Sequence, residues 1–433
     1  MEEKTAGETE GRVHPDEDGG MSGPQVPPPA DVDPPGRWRA LVVLATAMVL
    51  GMTTWFSAAA VLPELVDAWA LSPGQAAWLT IAVQLGFVAG GLVSAAIALA
   101  DVVSPRRLML LGAAGAAVAN GMLVLATGAA LALVLRFATG FFLAAVYPPA
   151  LKAMATWFRR GRGTALGIMV GALSLGSATP HLVGAIGGAS WIAVVVVTSG
   201  LTLMGGLLAE YATRDGPFAF AKSPFDPRQI GKVIRNRGVR LASLGYFGHM
   251  WELYAMWAWF LVFFRHALSA QGVQSADMLA SLGTFAVIGV GLFGCWIGGI
   301  MGDRWGRTRT TALAMALSGA CALGIGLLHG APWPILLVVG LVWGFWVVAD
   351  SAQFSTMVTE LAEGSYVGTA LTLQLTIGFT LTVATIWLVP IMLEATSWRW
   401  AFAILAPGPA LGIAAMLRLK ALPEASRIAG GRG

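Results

Sequence analysis

The chain has 433 residues, 56% of them hydrophobic and 12% charged, with a net charge of +4. That charge fraction is roughly half that of a soluble domain, and a mean hydropathy of +0.72 excludes an ordinary water-soluble fold, whose surface needs more charge. The basic residues fall in short clusters between apolar runs rather than in a patch interleaved with aromatics, which excludes a nucleic-acid partner. Cys295 and Cys321 both lie inside apolar runs, so neither a disulfide framework nor a metal site is expected.

Residues 1–36 are acidic and rich in Pro and Gly, without the early apolar stretch of a signal peptide; a disordered tail is expected there. Twelve apolar runs follow. The first six cover about 39–62, 74–100, 106–127, 129–153, 163–188 and 191–213. The second six cover about 241–264, 277–300, 310–329, 333–356, 367–392 and 399–418. Each approaches the roughly 20 residues that a helix needs to cross a bilayer. Ser72-Pro73 and Ser275 read as helix starts. The division is a tail (1–36), a six-helix half (37–213), a basic central loop (214–240), a second six-helix half (241–418) and a second tail (419–433).

The basic residues orient these spans. With both termini in the cytoplasm, 24 of the 27 Lys and Arg fall on the cytoplasmic side, as the positive-inside rule requires. Outside lie Arg265 and Arg399, and Arg136 is within a span. Seven of the basic residues, including Arg214, Lys222 and Arg240, crowd the central loop. The halves also echo each other. Asp101 with Arg106-Arg107 after the second span answers Asp303, Arg304 and Arg307 after the eighth, and Gly140-Phe141 in the fourth answers Gly344-Phe345 in the tenth. Repeated halves about a midplane site are a transporter pattern.

Gly299-Ile300-Met301-Gly302-Asp303-Arg304-Trp305-Gly306-Arg307 resembles the loop signature Gly-x-x-x-Asp-Arg-x-Gly-Arg of the major facilitator superfamily of transporters. The first-half copy keeps Asp101 and Arg106-Arg107 but has one residue inserted and no glycines. Arg136-Phe137-Ala138-Thr139-Gly140 is similar to the family's Arg-x-x-x-Gly signature in the fourth span. The glycines of the fifth span (Gly167, Gly171, Gly176, Gly184) resemble a glycine-rich family motif, with Pro180 and His181 departing from it. Tyr147-Pro148-Pro149, and Trp157-Phe158 with the Arg159–Gly163 stretch, have the look of a bacterial member. The resemblance implies an all-α membrane protein of twelve transmembrane helices, its two six-helix halves related by pseudo-two-fold symmetry. It also implies a cytoplasmic gate built from Gly299, Asp303, Arg304, Gly306, Arg307, Asp101, Arg106 and Arg107. Physically, the Asp can pair with arginines and with the positive N-terminus of a neighbouring helix.

Ionisable residues at bilayer depth are costly and mark function. At ~1.5 Å per residue, Arg136 lies roughly 10 Å below the outer end of its span, Glu252 roughly 16 Å along the seventh and Asp350 roughly 24 Å down the tenth. His249 and Glu252, three apart, share one helix face, and His181 is a further titratable ring. One arginine cannot neutralise both acids, and an unpaired carboxylate in a low-dielectric site prefers its proton. Glu252, with His249 and Tyr254 as neighbours, is therefore the expected proton carrier. A pair made and broken between Arg136 and the second-half acids would couple protonation to access. Gln84 is a polar residue of the second span. The expected pathway set is Arg136, Glu252, His249, Tyr254, Asp350, His181 and Gln84.

The function expected is secondary transport of a small solute bearing an anionic group, by alternating access, driven by the proton gradient without a cofactor. Export of drugs or amphipathic metabolites is the alternative, and a channel or sensor the reading from another class. The nitrate/nitrite branch resembles the chain in its loops but implies an arginine in the second and eighth spans, which hold none. No Walker-type loop or catalytic cluster points to an enzyme. A monomer is expected, multi-pass in a bacterial inner membrane, with the bilayer and a small solute as its partners.

Overall fold

In the computed structural model, residues 34–158, 161–187, 190–218 and 225–433 are described. All fall within one compact unit, Asp33–Gly433, and none is in a strand. The expectation of a disordered tail over 1–36 therefore lies almost wholly outside the described residues, as do Lys222, Arg159 and Arg160 and the side chain of Asp101.

The first predicted span is broken. Helix α1 (Arg37–Gly51) gives way to turns at residues 52–56, then to α2 (Ser57–Ala60) and α3 (Leu62–Trp69). Thr53 Oγ1 bonds Leu50 O at 2.9 Å and also Thr198 O at 2.9 Å, a competition of hydroxyl with helix ladder that interrupts helices. Helix α4 (Pro73–Ala96) starts as the sequence implies. Ser72 Oγ accepts the Gln75 N–H, Gln75 Oε1 accepts the Ser72 N–H, and Pro73 opens the helix, forming a capping box. The short α5 (Leu99–Val102) leads to α6 (Pro105–Gly121), then α7 (Ala129–Leu143), α8 (Tyr147–Ala155), α9 (Arg162–Gly187) and α10 (Trp191–Ala212).

After the central loop come α11 (Ile230–Arg235), the 34-residue α12 (Arg237–Ala270), α13 (Ala276–Gly289), α14 (Gly291–Trp305) and α15 (Arg307–Leu327). The chain finishes with α16 (Trp333–Ala349), α17 (Ser351–Leu361), α18 (Val367–Ala395), α19 (Trp398–Ala401) and α20 (Pro407–Lys420). Ser275 is a correction to the sequence reading. It precedes α13 at φ 60° and its side chain makes no cap bond, because a left-handed backbone turns the hydroxyl away from the helix's free N–H groups. Ten of these helices or helix runs are long and apolar enough to cross a membrane. The two remaining predicted spans are the broken α1–α3 run and α12, which carries Arg237, Arg240, His249, Glu252 and Arg265.

The repeat seen in the sequence is a packing repeat. A Cβ added to Gly140 would lie 2.0 Å from Val83 O, and one on Gly344 would lie 1.7 Å from Val287 O. Likewise a Cβ on Gly90 would meet Phe141 O at 2.2 Å, and one on Gly294 would meet Phe345 O at 2.1 Å. Val83 to Val287, Gly90 to Gly294, Gly140 to Gly344 and Phe141 to Phe345 are all the same number of residues apart. Thus α4 against α7, and α13–α14 against α16, are one close-packed unit used twice, with glycine letting two backbones touch. Between the halves, α9 packs on α13 and α14, and α4 on α18.

Candidate functional site

Arg136, on α7, is fully buried, and it closes the break after α1. Its Nη1 donates to Thr54 O at 2.9 Å, Ser57 Oγ at 3.0 Å and Asn120 Oδ1 at 2.9 Å. Nη2 donates to Trp55 O and Nε to Leu79 O. Non-helical backbone inside a membrane protein needs such partners, and a guanidinium offers five donors in a fixed fork. One Nη2 hydrogen is left without a partner among the described residues. The structure does not bring Arg136 to Glu252 or Asp350: its bonds all go to neutral first-half oxygens.

The second-half acids lie in two linked nests. Glu252 on α12 accepts from Trp343 Nε1 of α16 at 2.7 Å and from Ser318 Oγ of α15 at 2.8 Å. No cation pairs with it among the described residues. One turn earlier, His249 Nδ1 stands 2.9 Å from Asp350 Oδ1, and its Nε2 is 2.8 Å from Ser351 Oγ. All three ionisable side chains are at most 2% exposed. The shared face of His249 and Glu252 is as the sequence implies. Asp350, at the bend between α16 and α17, is their neighbour through His249.

Tyr254 joins the halves. Its ring lies 5.8 Å from Trp55, 6.2 Å from Phe56 and 5.2 Å from Phe379, and Phe87 on α4 lies 4.5 Å from Phe379 on α18. These rings form an aromatic layer across the seam. Gln84 and His181 are buried, and neither the Gln84 amide nor either His181 nitrogen has a hydrogen-bond partner in the described structure; the same holds for Gln374 and the Ser177 hydroxyl. Unpartnered buried polar atoms are rare, and these lie on α4, α9 and α18, the helices of the seam.

The predicted gate residues separate into two groups. Arg307 is nearly buried and grips Glu360 with Nε at 3.0 Å and Nη2 at 2.9 Å. Its Nη1 reaches Asp303 at 3.1 Å and Gln353 Oε1 at 2.9 Å. The Asp303 carboxylate rests against the first turn of α9: a Cβ on Gly163 would lie 2.7 Å from both of its oxygens. A carboxylate at a helix N-terminus meets the positive end of the dipole, so this contact ties one half to the other. Gly299 packs on Gly163 of the same turn, Gly306 takes φ 100°, which favours glycine, and Arg304 is exposed. In the first half the arginines turn elsewhere. Arg106 pairs with Asp215 at 3.2 Å and bonds Glu210 O and Thr213 O, while Arg107 approaches Glu210 at 3.8 Å.

Sequence reasoning missed Glu360, Ser318 and Ser351, and missed Trp343 as a partner of Glu252. An acid at a helix end, and hydroxyl or indole groups in apolar runs, carry no local signal; only the packing of distant helices reveals them.

The family profile described as Major Facilitator Superfamily matches residues 44–345 and again residues 273–433. A search of curated proteins finds none that matches. Two overlapping matches over an internally repeated chain, whose described residues hold no strand and ten helices fit to cross a membrane, agree with the Asp303 turn and the Gly140 and Gly344 packing. The chain belongs to the Major Facilitator Superfamily and is a multi-pass membrane transporter.

Proposed function

We propose that the protein is a proton-coupled secondary transporter of a small solute working by alternating access, with Glu252 as the proton carrier. The reading has twelve spans, counting α1–α3 and α12, in a bacterial inner membrane with both termini cytoplasmic. One observation carries it. Glu252 is buried among neutral donors, and its setting accommodates both protonation states. When ionised, it accepts from Trp343 and Ser318. When protonated, Oε2 donates to Ser318 Oγ, and the hydroxyl turns to Met315 O, 3.3 Å away. No polar atom is stranded in either state. His249 and Asp350, one turn away, are the next proton-bearing groups.

Arg136 supports a solute with an anionic group. Its charge has no carboxylate partner among the described residues, and one Nη2 hydrogen remains there for a ligand. The aromatic layer of Trp55, Phe87, Tyr254 and Phe379 favours a second reading, export of an amphipathic metabolite, since flat apolar surfaces stack on such rings. A thermal-shift screen of small anions, amines and amphipathic compounds identifies the ligand, because binding stabilises the fold. In proteoliposomes that ligand should show saturable counterflow and accumulate under an imposed pH gradient. Conductance without counterflow would overturn the carrier reading, and counterflow indifferent to the gradient would overturn proton coupling.

A further inference from the structure

The segment after α20 returns to the Asp303 turn. Residues Pro423–Gly430 form short 3-10 turns, kinked at Ile428 and Ala429, that pack on α17. Ile428 is fully buried there. The chain then hooks: Ala429, Gly430 and Gly431 take φ of 50°, 66° and 93°. An alanine in the left-handed region is strained relative to glycine, and here the strain aims its N–H at Glu360 Oε2, 3.2 Å away. Arg432 Nη1 then donates to the Asp303 carbonyl at 2.8 Å. Gly306 makes room for this approach, since a Cβ there would lie 1.8 Å from Arg432 O.

We propose that residues 423–432 are a strap that positions the gate. It holds Glu360 through Ala429 and the Asp303 backbone through Arg432. Glu360 holds Arg307, Arg307 holds Asp303, and Asp303 rests on α9 of the other half. The strap therefore favours the state in which this face is shut, and its release lowers the barrier to opening. Ile428 is the anchor and Arg432 the positioning residue. The inference rests on the alternating-access reading, but its test uses neither a solute nor a pH gradient, so failure of proton coupling would leave it standing.

Cys295 is a built-in reporter. It is buried on α14, its sulfur donates to Val348 O, and its carbonyl lies 2.7 Å from where a Gly167 Cβ would be, at the seam of α14 with α9. With Cys321 replaced by Ser, the alkylation rate of Cys295 by a membrane-permeant maleimide reads opening at that seam. Arg432→Ala should raise the rate by roughly tenfold or more, the scale of losing one hydrogen bond to a charged group, and Ile428→Asp, which expels the anchor, should raise it as well. Arg432→Lys should restore it, and the melting temperature of Arg432→Ala should stay close to that of wild type, since Arg432 is exposed. Unchanged alkylation in both variants would overturn the strap. So would a rise that Lys does not rescue and that follows a fall in melting temperature, which would mark a merely structural tail.

Discussion

Nδ1 of His249 lies 2.9 Å from Oδ1 of Asp350, which ties the middle of α12 to the bend between α16 and α17. Both side chains are buried, and His249 Nε2 also bonds Ser351 Oγ. Asp350→Ala leaves His249 Nδ1 without its carboxylate neighbour while Nε2 keeps Ser351 Oγ, and should lower stability by about 1–3 kcal/mol, read as a lower melting temperature in detergent. Asp350→Asn keeps an oxygen for Nδ1 but cannot take a proton. It should melt near wild type while losing proton-driven accumulation; full accumulation in the Asn variant would remove Asp350 from the relay.

Arg136 should behave as a brace as well as a charge. Arg136→Ala takes the guanidinium away from Thr54 O, Trp55 O, Leu79 O and Asn120 Oδ1, and the single hydroxyl hydrogen of Ser57, which reaches Thr54 O or Asn120 Oδ1, can serve only one of them. Each stranded group costs about 1–3 kcal/mol, so yield and thermal stability should collapse. Lysine keeps the charge but presents three donors from one point rather than a planar fork. Arg136→Lys should therefore fold and melt clearly below wild type. Equal melting of the two would mean that the α1–α2 break does not depend on the fork.

The packing repeat predicts matched penalties. Gly90→Ala and Gly294→Ala both drive a methyl into a carbonyl across the same helix pair, Phe141 O and Phe345 O. Overpacking of this kind costs about 1–3 kcal/mol, and the two should agree within experimental error. Gly91→Ala meets nothing within 4 Å and serves as the control. Melting curves in detergent decide it, and a large loss in one half alone would break the equivalence.

Near the C-terminal ends of α12 and α15, His266 Nδ1 lies 3.0 Å from His329 Nε2. Burial, and then the neighbouring His266, push the His329 imidazole below its ordinary range. The folded protein therefore resists protonation more than the unfolded chain does. The stabilisation is complete above the unfolded value near 6.5 and is lost as the pH falls from there toward the lower folded value. Melting temperatures between pH 5 and 8 should drop on the acid side in wild type and drop less in His329→Gln. Parallel curves would show that the pair does not titrate in this window.

What the sequence made visible follows from where the information sits. Asp303 and Arg307 stand out because charges in a loop between apolar runs have few other reasons to be there, and the positions of Gly140 and Gly344 announce a repeat. Arg136 was visible as a lone buried charge, but its role was not. Hydropathy averages over the break at residues 52–56, so the carbonyls that need a guanidinium look like ordinary helix. His249 and Glu252 share a face by helical spacing alone, whereas Asp350 reaches His249 only through packing across 100 intervening positions of chain. Glu360 and the strap were hidden for the same reason. Ser275 misled because its identity fits a cap while its backbone, at φ 60°, does not.

The central claim is that Glu252 carries the proton. With the solute identified by thermal shift, proton flux driven by a solute gradient can be recorded in proteoliposomes for wild type and Glu252→Gln. Glutamine keeps an acceptor for Trp343 and a partner for Ser318, so the fold should survive. The account predicts that wild type moves protons with the solute, while the variant still exchanges solute across the membrane with no proton flux. A variant that moves protons and solute together at the wild-type ratio would contradict it.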